Sequence, residues 1–258
     1  MGLRHGLTLA GSALVAFPRV WLAALVHRDK AAYLRTQPQR VFPGLLRAAG
    51  VRLEVEGLEH VPAGPFLLAP NHQGNLDIPA LVTALPDKLP RFVFKQELLS
   101  IPIFGRLQTW YGNIPINRRD RDQAVRQIRA GLAQVEGDQY LALFPEGTRT
   151  KTGVMGEVKR GVFHFARETG LPVIPAAIAG SFARFPQDRL LEVTPGPLRI
   201  RFLPALTFAS FAEEQDPIGQ MAETWQKQME AVVQAMEIDL GPEGSALAWA
   251  TSPRPAGG

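Results

Sequence analysis

Six short apolar runs, separated by helix-patterned stretches, constrain the fold of this chain more than any other feature. VRLEVEG (51–57) alternates polar and apolar residues with the period of two of a half-buried strand, and FLLAP (66–70) is a short continuous apolar run. RFVF (91–94), YLALF (140–144), VIPAAI (173–178) and LRIRFL (198–203) continue the series. Helical spacing fills the gaps. The stretch 122–136 sets Val125, Ile128, Leu132 and Val135 three and four residues apart, 158–169 stops at Gly170 and Pro172, and 219–238 carries Met221, Trp225, Met229, Val232 and Met236. Such stripes are core-packing faces. Strands alternating with helices predict an α/β fold: a mixed, mostly parallel sheet flanked by helices.

The first part of the chain reads differently. Residues 7–26, LTLAGSALVAFPRVWLAALV, are mostly apolar and close to the roughly 20 residues that cross a bilayer. Pro18 and Arg19 fall in the middle. A central arginine costs about 3 kcal/mol on insertion scales and the proline interrupts the hydrogen-bond ladder, so two short helical halves dipping into one leaflet are expected. A pair of amphipathic helices packed on the protein's own core is the alternative. A cleaved signal is disfavoured, since only one arginine and one histidine precede the apolar stretch. The chain thus divides into an N-terminal membrane-anchoring helical segment (1–50), an α/β domain (51–240) and a tail rich in Gly, Pro, Ala and Ser (241–258) with the composition of disorder.

Composition narrows the chemistry. The 258 residues, 46% hydrophobic and 20% charged, can bury a sizeable core. With 28 Lys+Arg against 24 Asp+Glu, the formal charge of +4 favours phosphorylated partners, anionic lipid surfaces or nucleic acid without choosing among them. No aromatic residues interleave the arginine run at 118–129, so a base-stacking platform is absent and no nucleic-acid partner is expected. The lack of cysteine rules out disulfides, thiolate zinc sites and a cysteine nucleophile. None of the six serines lies in a G-x-S-x-G frame. A direct, base-assisted transfer is the more attractive chemistry.

Three constellations carry it. PNHQGNLDIPAL (70–81) sets His72 five positions before Asp77, directly after a strand-like run. Five residues at about 100° each leave the side chains roughly 140° apart on a continuous helix, so they converge only if His72 lies on a strand-to-helix turn. Gly74 and Asn75 are turn and cap formers, and Pro79 is tolerated only in a first helical turn, which puts Asp77 beside the helix start. An aspartate there can accept from one imidazole nitrogen, fix the tautomer and leave the other nitrogen as a base. A structural turn histidine bonded to backbone fits the same spacing, and the residues alone leave both readings open. FPEGTRT (144–150) presents Glu146, Gly147, Thr148 and Arg149 at a strand end. Gly147 permits close backbone approach and Arg149 offers the planar fork that suits phosphate oxygens, although a surface turn with a Glu146–Arg149 contact is the plainer reading. GNIPINRR (112–119) ends an extended segment on Arg118. Lys95, closing RFVFK, and Lys159, in VKRG, are further single cations. A metal site is not expected, because His72, Asp77 and Glu146 lack a second histidine at ligand spacing.

Taken in order, NHQGNLD, FVFKQELLSIPIFG, GNIPINR, FPEGTR, VKRGVFHFA and LPVIPAAI resemble the glycerolipid acyltransferase family typified by 1-acyl-glycerol-3-phosphate acyltransferases, over roughly residues 57–205. The resemblance implies an acyltransferase catalytic domain at 51–240 behind a membrane-embedded N-terminal helical segment, working at the cytoplasmic face of the cell membrane. It implies an acyl-CoA or acyl-carrier-protein donor as co-substrate, a lysophospholipid acceptor, membrane lipids as partners, and no cofactor or metal. The family's histidine–aspartate motif maps onto His72 and Asp77. Its acceptor-binding block maps onto Glu146, Gly147, Thr148 and Arg149, its glycine-to-arginine block onto Gly112 to Arg118, and its strand-end lysine onto Lys95. Pro115 departs from many relatives and removes a backbone donor. The expected reaction forms phosphatidate with a His–Asp general base, its oxyanion held by N–H groups of the 72–77 turn or by Lys95. Another lysolipid or glycerol 3-phosphate as acceptor, and a non-catalytic membrane lipid-binding homologue, are the alternatives.

Overall fold

A computed structural model of the protein describes residues 2–101, 104–117, 119–188 and 192–241; Arg118 and the tail beyond Gly241 lie outside them. Seven strands form one sheet: β1 (Val51–Glu56), β2 (Phe66–Pro70), β3 (Leu89–Lys95), β4 (Ile114–Ile116), β5 (Gln139–Ala142), β6 (Val173–Ala179) and β7 (Gly196–Phe202). Their order is β1-β7-β6-β2-β5-β3-β4. Only β6 and β7 pair antiparallel, and the other pairs are parallel. The mixed, mostly parallel sheet flanked by helices expected from the sequence is therefore present. Every residue of β2 and β6 is buried, which is why FLLAP and VIPAAI read as unbroken apolar runs: helices cover both sides of these central strands. Pro115 sits in β4, which pairs with β3 alone, and a sheet edge is where a strand proline leaves no ladder bond unmade.

The two sheet faces carry separate cores. Leu67 and Ala69 of β2 point to one, with Leu141, Ala177, Ala179, Phe163 of α7 (Gly161–Thr169) and Met221, Trp225 and Met229 of α9 (Pro217–Leu240). Phe66 and Leu68 point to the other, with Tyr140, Ile178, Leu46 of α3 (Gln37–Ala48) and Leu81 of α4 (Asp77–Ala84). The Trp225 indole donates to the Ala69 carbonyl (3.0 Å), which keys α9 to the central strand. Helix α6 (Arg121–Leu132) ends before 136 because the chain turns there, with the Gln134 carbonyl accepting from the buried Arg91 guanidinium. Helix α7 starts at Gly161, not at 158, because the Lys159 N–H is drawn to the Pro145 carbonyl.

The N-terminal segment departs from expectation. A single helix, α1 (Gly2–Val26), runs through Pro18 without a break. Pro18 and Arg19 both lie on its exposed side, so the carbonyl freed by the missing N–H faces away from the protein's interior and turns on either side keep the ladder intact. The buried side of α1 supplies Val20 and Ala24 to a third, smaller cluster with Leu34 of α2 (Lys30–Arg35) and Leu107 of α5 (Phe104–Trp110), where Trp21 stacks on Trp110. By length and composition α1 could cross a membrane, and 11% of its most apolar window is buried in the protein.

Candidate active site

The carboxyl ends of β2 and β5, neighbours in the sheet, open into the two turns that carry NHQGNLD and FPEGTR. This edge is where ligands bind in open α/β sheets. The first turn works because each of its side chains finds a fixed partner. Asn71, fully buried, continues the strand pairing through its amide: Nδ2 donates to the Ile178 carbonyl (3.0 Å) and Oδ1 accepts from the Ile178 N–H (2.7 Å). Gly74 lies so close to the Ser181 and Phe185 carbonyls, 2.8 Å from where a Cβ would be, that no side chain fits. The chain then turns into α4, with Asp77 as its first residue where Pro79 places the helix start; the cap position is Leu76, without a side-chain bond, and not Gly74 or Asn75.

The result joins the expected pair. His72 Nδ1 is 2.7 Å from Asp77 Oδ2, and the same oxygen accepts the N–H groups of Gln73 (2.7 Å) and Gly74 (2.9 Å). Asp77 is fully buried at the N-terminus of α4, with backbone donors gathered on one of its oxygens. A proton on Nδ1 directed at the carboxylate would leave Nε2 of the neutral ring with a lone pair, the tautomer a base requires. The imidazole stacks on Phe144, the residue that leads into the second turn (centroids 3.8 Å apart), and keeps 17% of its side-chain surface exposed.

The second turn locks onto the first. The Glu146 carboxylate accepts the His72 N–H (2.7 Å) on one oxygen and the Gly156 N–H (2.7 Å) on the other, while the Thr150 N–H donates to the His72 carbonyl (2.8 Å). Glu146 is buried, and burial pushes its carboxyl above the ordinary range against the two backbone bonds. Its oxygens thus face the protein backbone. The Glu146–Arg149 contact of the plainer reading is absent among the described bonds: Arg149 reaches across to donate to the Asn75 Oδ1. Thr148 is exposed at the tip. Gly147 has φ +71°, and a Cβ there would come within 2.7 Å of Lys159 Nζ, so this lysine lies over the turn. Lys95 is exposed at the end of β3, two strands or roughly 10 Å along the sheet from β2. Arg118, two residues past β4, lies outside the described residues.

One expectation is narrowed. The N–H groups of residues 72 to 75 are all committed, to Glu146, to Asp77 twice and to the Phe185 carbonyl. They are not available to a developing oxyanion. Sequence reasoning also passed over Asn75 as a partner of Arg149, and over Gln73. Both stand inside the quoted motif, and two amide side chains within three residues after a candidate histidine are the signal that was there to use. Among the described residues no group of three or more His, Asp or Glu could hold a metal ion.

Comparison with known proteins follows the same residues. A family model described as Acyltransferase matches residues 52–179. The 1-acyl-sn-glycerol-3-phosphate acyltransferase of Pseudomonas aeruginosa is 31% identical over 207 residues, covering 77% of each chain. The mouse 1-acyl-sn-glycerol-3-phosphate acyltransferase alpha is 30% identical over 171 residues, 65% of this chain but 59% of that one. The chain spans less of the chloroplastic Brassica napus relative, 38% of its length at 32% identity. In three dimensions the crystal structure of the 1-acyl-sn-glycerophosphate acyltransferase PlsC from Thermotoga maritima superposes with a TM-score of 0.77 over 91% of this chain and 95% of that one, at 23% identity.

Proposed function

The chain belongs to the 1-acyl-sn-glycerol-3-phosphate acyltransferase family, and on that premise we propose that it transfers a fatty acyl group from a thioester donor, acyl-CoA or acyl-carrier protein, to the sn-2 hydroxyl of 1-acyl-glycerol-3-phosphate. The observation that carries the reading is the 2.7 Å contact of His72 Nδ1 with the buried Asp77 carboxylate, at the edge of the sheet and with the ring partly exposed. His72 Nε2 removes the hydroxyl proton as the oxygen attacks the thioester carbonyl. The carbon–oxygen bond forms and the carbonyl electrons move onto oxygen. Collapse of the tetrahedral species breaks the carbon–sulfur bond, and the thiolate takes the proton back from the imidazolium. Phosphatidate and a free thiol leave, and the dyad is restored without an acyl-enzyme or a cofactor. The Asp77 carboxylate stabilises the transient imidazolium. With the backbone donors of residues 72 to 75 engaged elsewhere, the rest of the 72–77 turn and Lys95 are left as the expected oxyanion donors.

Arg149, Lys159 and Arg118 hold the acceptor's phosphate in this reading. Asn75 takes a donor of the Arg149 fork and leaves others for phosphate oxygens. Glu146 shapes the turn, and Gly147 and Thr148 offer backbone and hydroxyl beside it. Helix α1, with Leu14, Phe17, Leu22 and Leu25 exposed, seats the domain on the bilayer that holds the acceptor, on the cytoplasmic side where a water-soluble thioester donor is at hand.

The test is thiol release by purified protein in lipid or detergent, from an acyl-CoA and separately an acyl-carrier protein, with and without lysophosphatidate, beside His72→Ala. Release that needs both lysophosphatidate and His72 supports the proposal. Turnover with another lysolipid or glycerol 3-phosphate alone would change the acceptor, and release by His72→Ala above a few per cent of wild type would remove His72 as the base.

A further inference from the structure

Of the acids on α9, Glu237 alone is buried, 2% exposed, and it lies well beyond the segment matched by the family model. A helix that only packs on a sheet has no use for a buried carboxylate, since an apolar side chain of similar volume would pack there without the cost of desolvating a charge. The Glu237 carboxyl is turned to the first active-site turn and to the end of β6. One of its oxygens accepts both the Gln73 side-chain amide (2.9 Å) and the Gly180 N–H (3.0 Å). Gln73, 1% exposed, follows His72 directly, and its own N–H is one of the three donors on Asp77 Oδ2. It is therefore held at both ends, by the dyad's carboxylate through its backbone and by α9 through its side chain. Gly180 begins the short helix α8 (Ser181–Arg184), and past it the Phe185 and Pro186 carbonyls accept the backbone and side-chain N–H groups of Asn75.

We propose that Glu237 is a positioning residue for the transfer reaction, holding the His72–Asp77 turn in register through Gln73, so that the C-terminal helix is part of the catalytic architecture. This rests on the acyltransferase reading above. A turn released from α9 lets the imidazole drift from the acceptor hydroxyl, and a misplacement of about 1 Å costs about a hundredfold in rate.

The experiment compares wild type, Glu237→Ala, Glu237→Gln, Gln73→Ala and the Glu237→Ala/Gln73→Ala double variant as full-length protein. The readouts are kcat, both KM values and the His72 Nδ1–H proton resonance. Expected for Glu237→Ala is a kcat lower by about 10- to 100-fold with both KM values within about twofold, and a shifted or broadened His72 resonance. Glu237→Gln, which keeps an acceptor oxygen, should recover most of the loss. The double variant should be no slower than the slower single one, because the effect of each on the His72 turn passes through the shared Glu237–Gln73 contact. A folded Glu237→Ala with wild-type kcat, or losses that multiply in the double variant, would overturn the proposal. If Glu237→Ala does not fold, Gln73→Ala decides: wild-type kcat and an unmoved His72 resonance overturn it. Should wild type itself transfer to no acceptor, the reaction assignment falls, and the His72 resonance still reports whether Glu237 holds the ring.

Discussion

Replacing Asp77 by asparagine separates its charge from its shape. The native Oδ2 accepts three donors, from the His72 ring, Gln73 and Gly74, whereas Oδ1 is buried without a partner. An asparagine amide can turn its oxygen to the three donors, which keeps the His72 tautomer but buries an NH2 where the carboxylate had a bare oxygen. The reverse orientation sets the NH2 against three donors and forces the ring to carry its proton on Nε2. The first is favoured, so geometry survives and the charge is lost. The imidazolium formed in the transfer step sits against that charge, with Nδ1 and Oδ2 2.7 Å apart. At 4 Å between charge centres and an effective dielectric near 20 the attraction is about 4 kcal/mol, or about three powers of ten in rate. Asp77→Asn should therefore lower kcat by about 10²- to 10³-fold with the acceptor KM little changed, and destabilise the fold by about 1–3 kcal/mol for its unpaired amide. Steady-state thiol release with lysophosphatidate, beside a urea unfolding curve, measures both. A folded Asp77→Asn within about fivefold of wild-type kcat would mean that the carboxylate's charge does not assist the base, and the dyad mechanism would fall.

Further outcomes test other parts of the structure. Burial holds the Glu146 carboxyl above its usual range, so the folded protein binds that proton more tightly than the unfolded chain does. The stability it contributes is present below the unfolded value and is lost as pH rises through the folded one; wild type should thus gain stability relative to Glu146→Gln on acidification from neutral pH toward 4.5, read as a difference in Tm. Activity should fall over the same range, because protonation weakens the acceptor that holds the His72 N–H. Tyr140 is fully buried with its hydroxyl unpartnered, and burial alone pushes its ionisation far up. Tyr140→Phe should stabilise by about 1 kcal/mol, roughly 2–4 °C in Tm, and a lower Tm would show that the hydroxyl has a partner in solution. Arg149→Ala should raise the acceptor KM more than the donor KM, and Asn75→Ala, which frees the Arg149 fork, should move it the same way by less. A change confined to the donor KM would remove Arg149 from the acceptor site.

Local pattern in the chain was enough to determine the elements and one half of the site. Period-two and continuous apolar runs marked six of the strands because a sheet covered on both faces buries every residue of its central members, and β4 was visible only as a short extended segment because three residues carry no periodicity. The His72–Asp77 turn was legible because Gly74, Asn75 and Pro79 restrict the backbone locally, within one strand-to-helix connection. Helix α1 was read as broken at Pro18 because the sequence cannot say which side of a helix is exposed, and that decides what the lost hydrogen bond costs. The rest of the site depends on which distant residues the sheet order brings together. Glu146 stood in the sequence only as part of an acceptor-binding block, and the pairing of β2 with β5 is what sets one of its oxygens on the His72 N–H of the first turn and the other on the Gly156 N–H. Glu237 reaches Gln73 across 164 positions of sequence, in a contact that exists only because α9 is keyed to β2 by Trp225. No window of the chain holds both partners, and hydrogen bonds of about 3 Å are set by packing between elements that each element's own pattern does not encode.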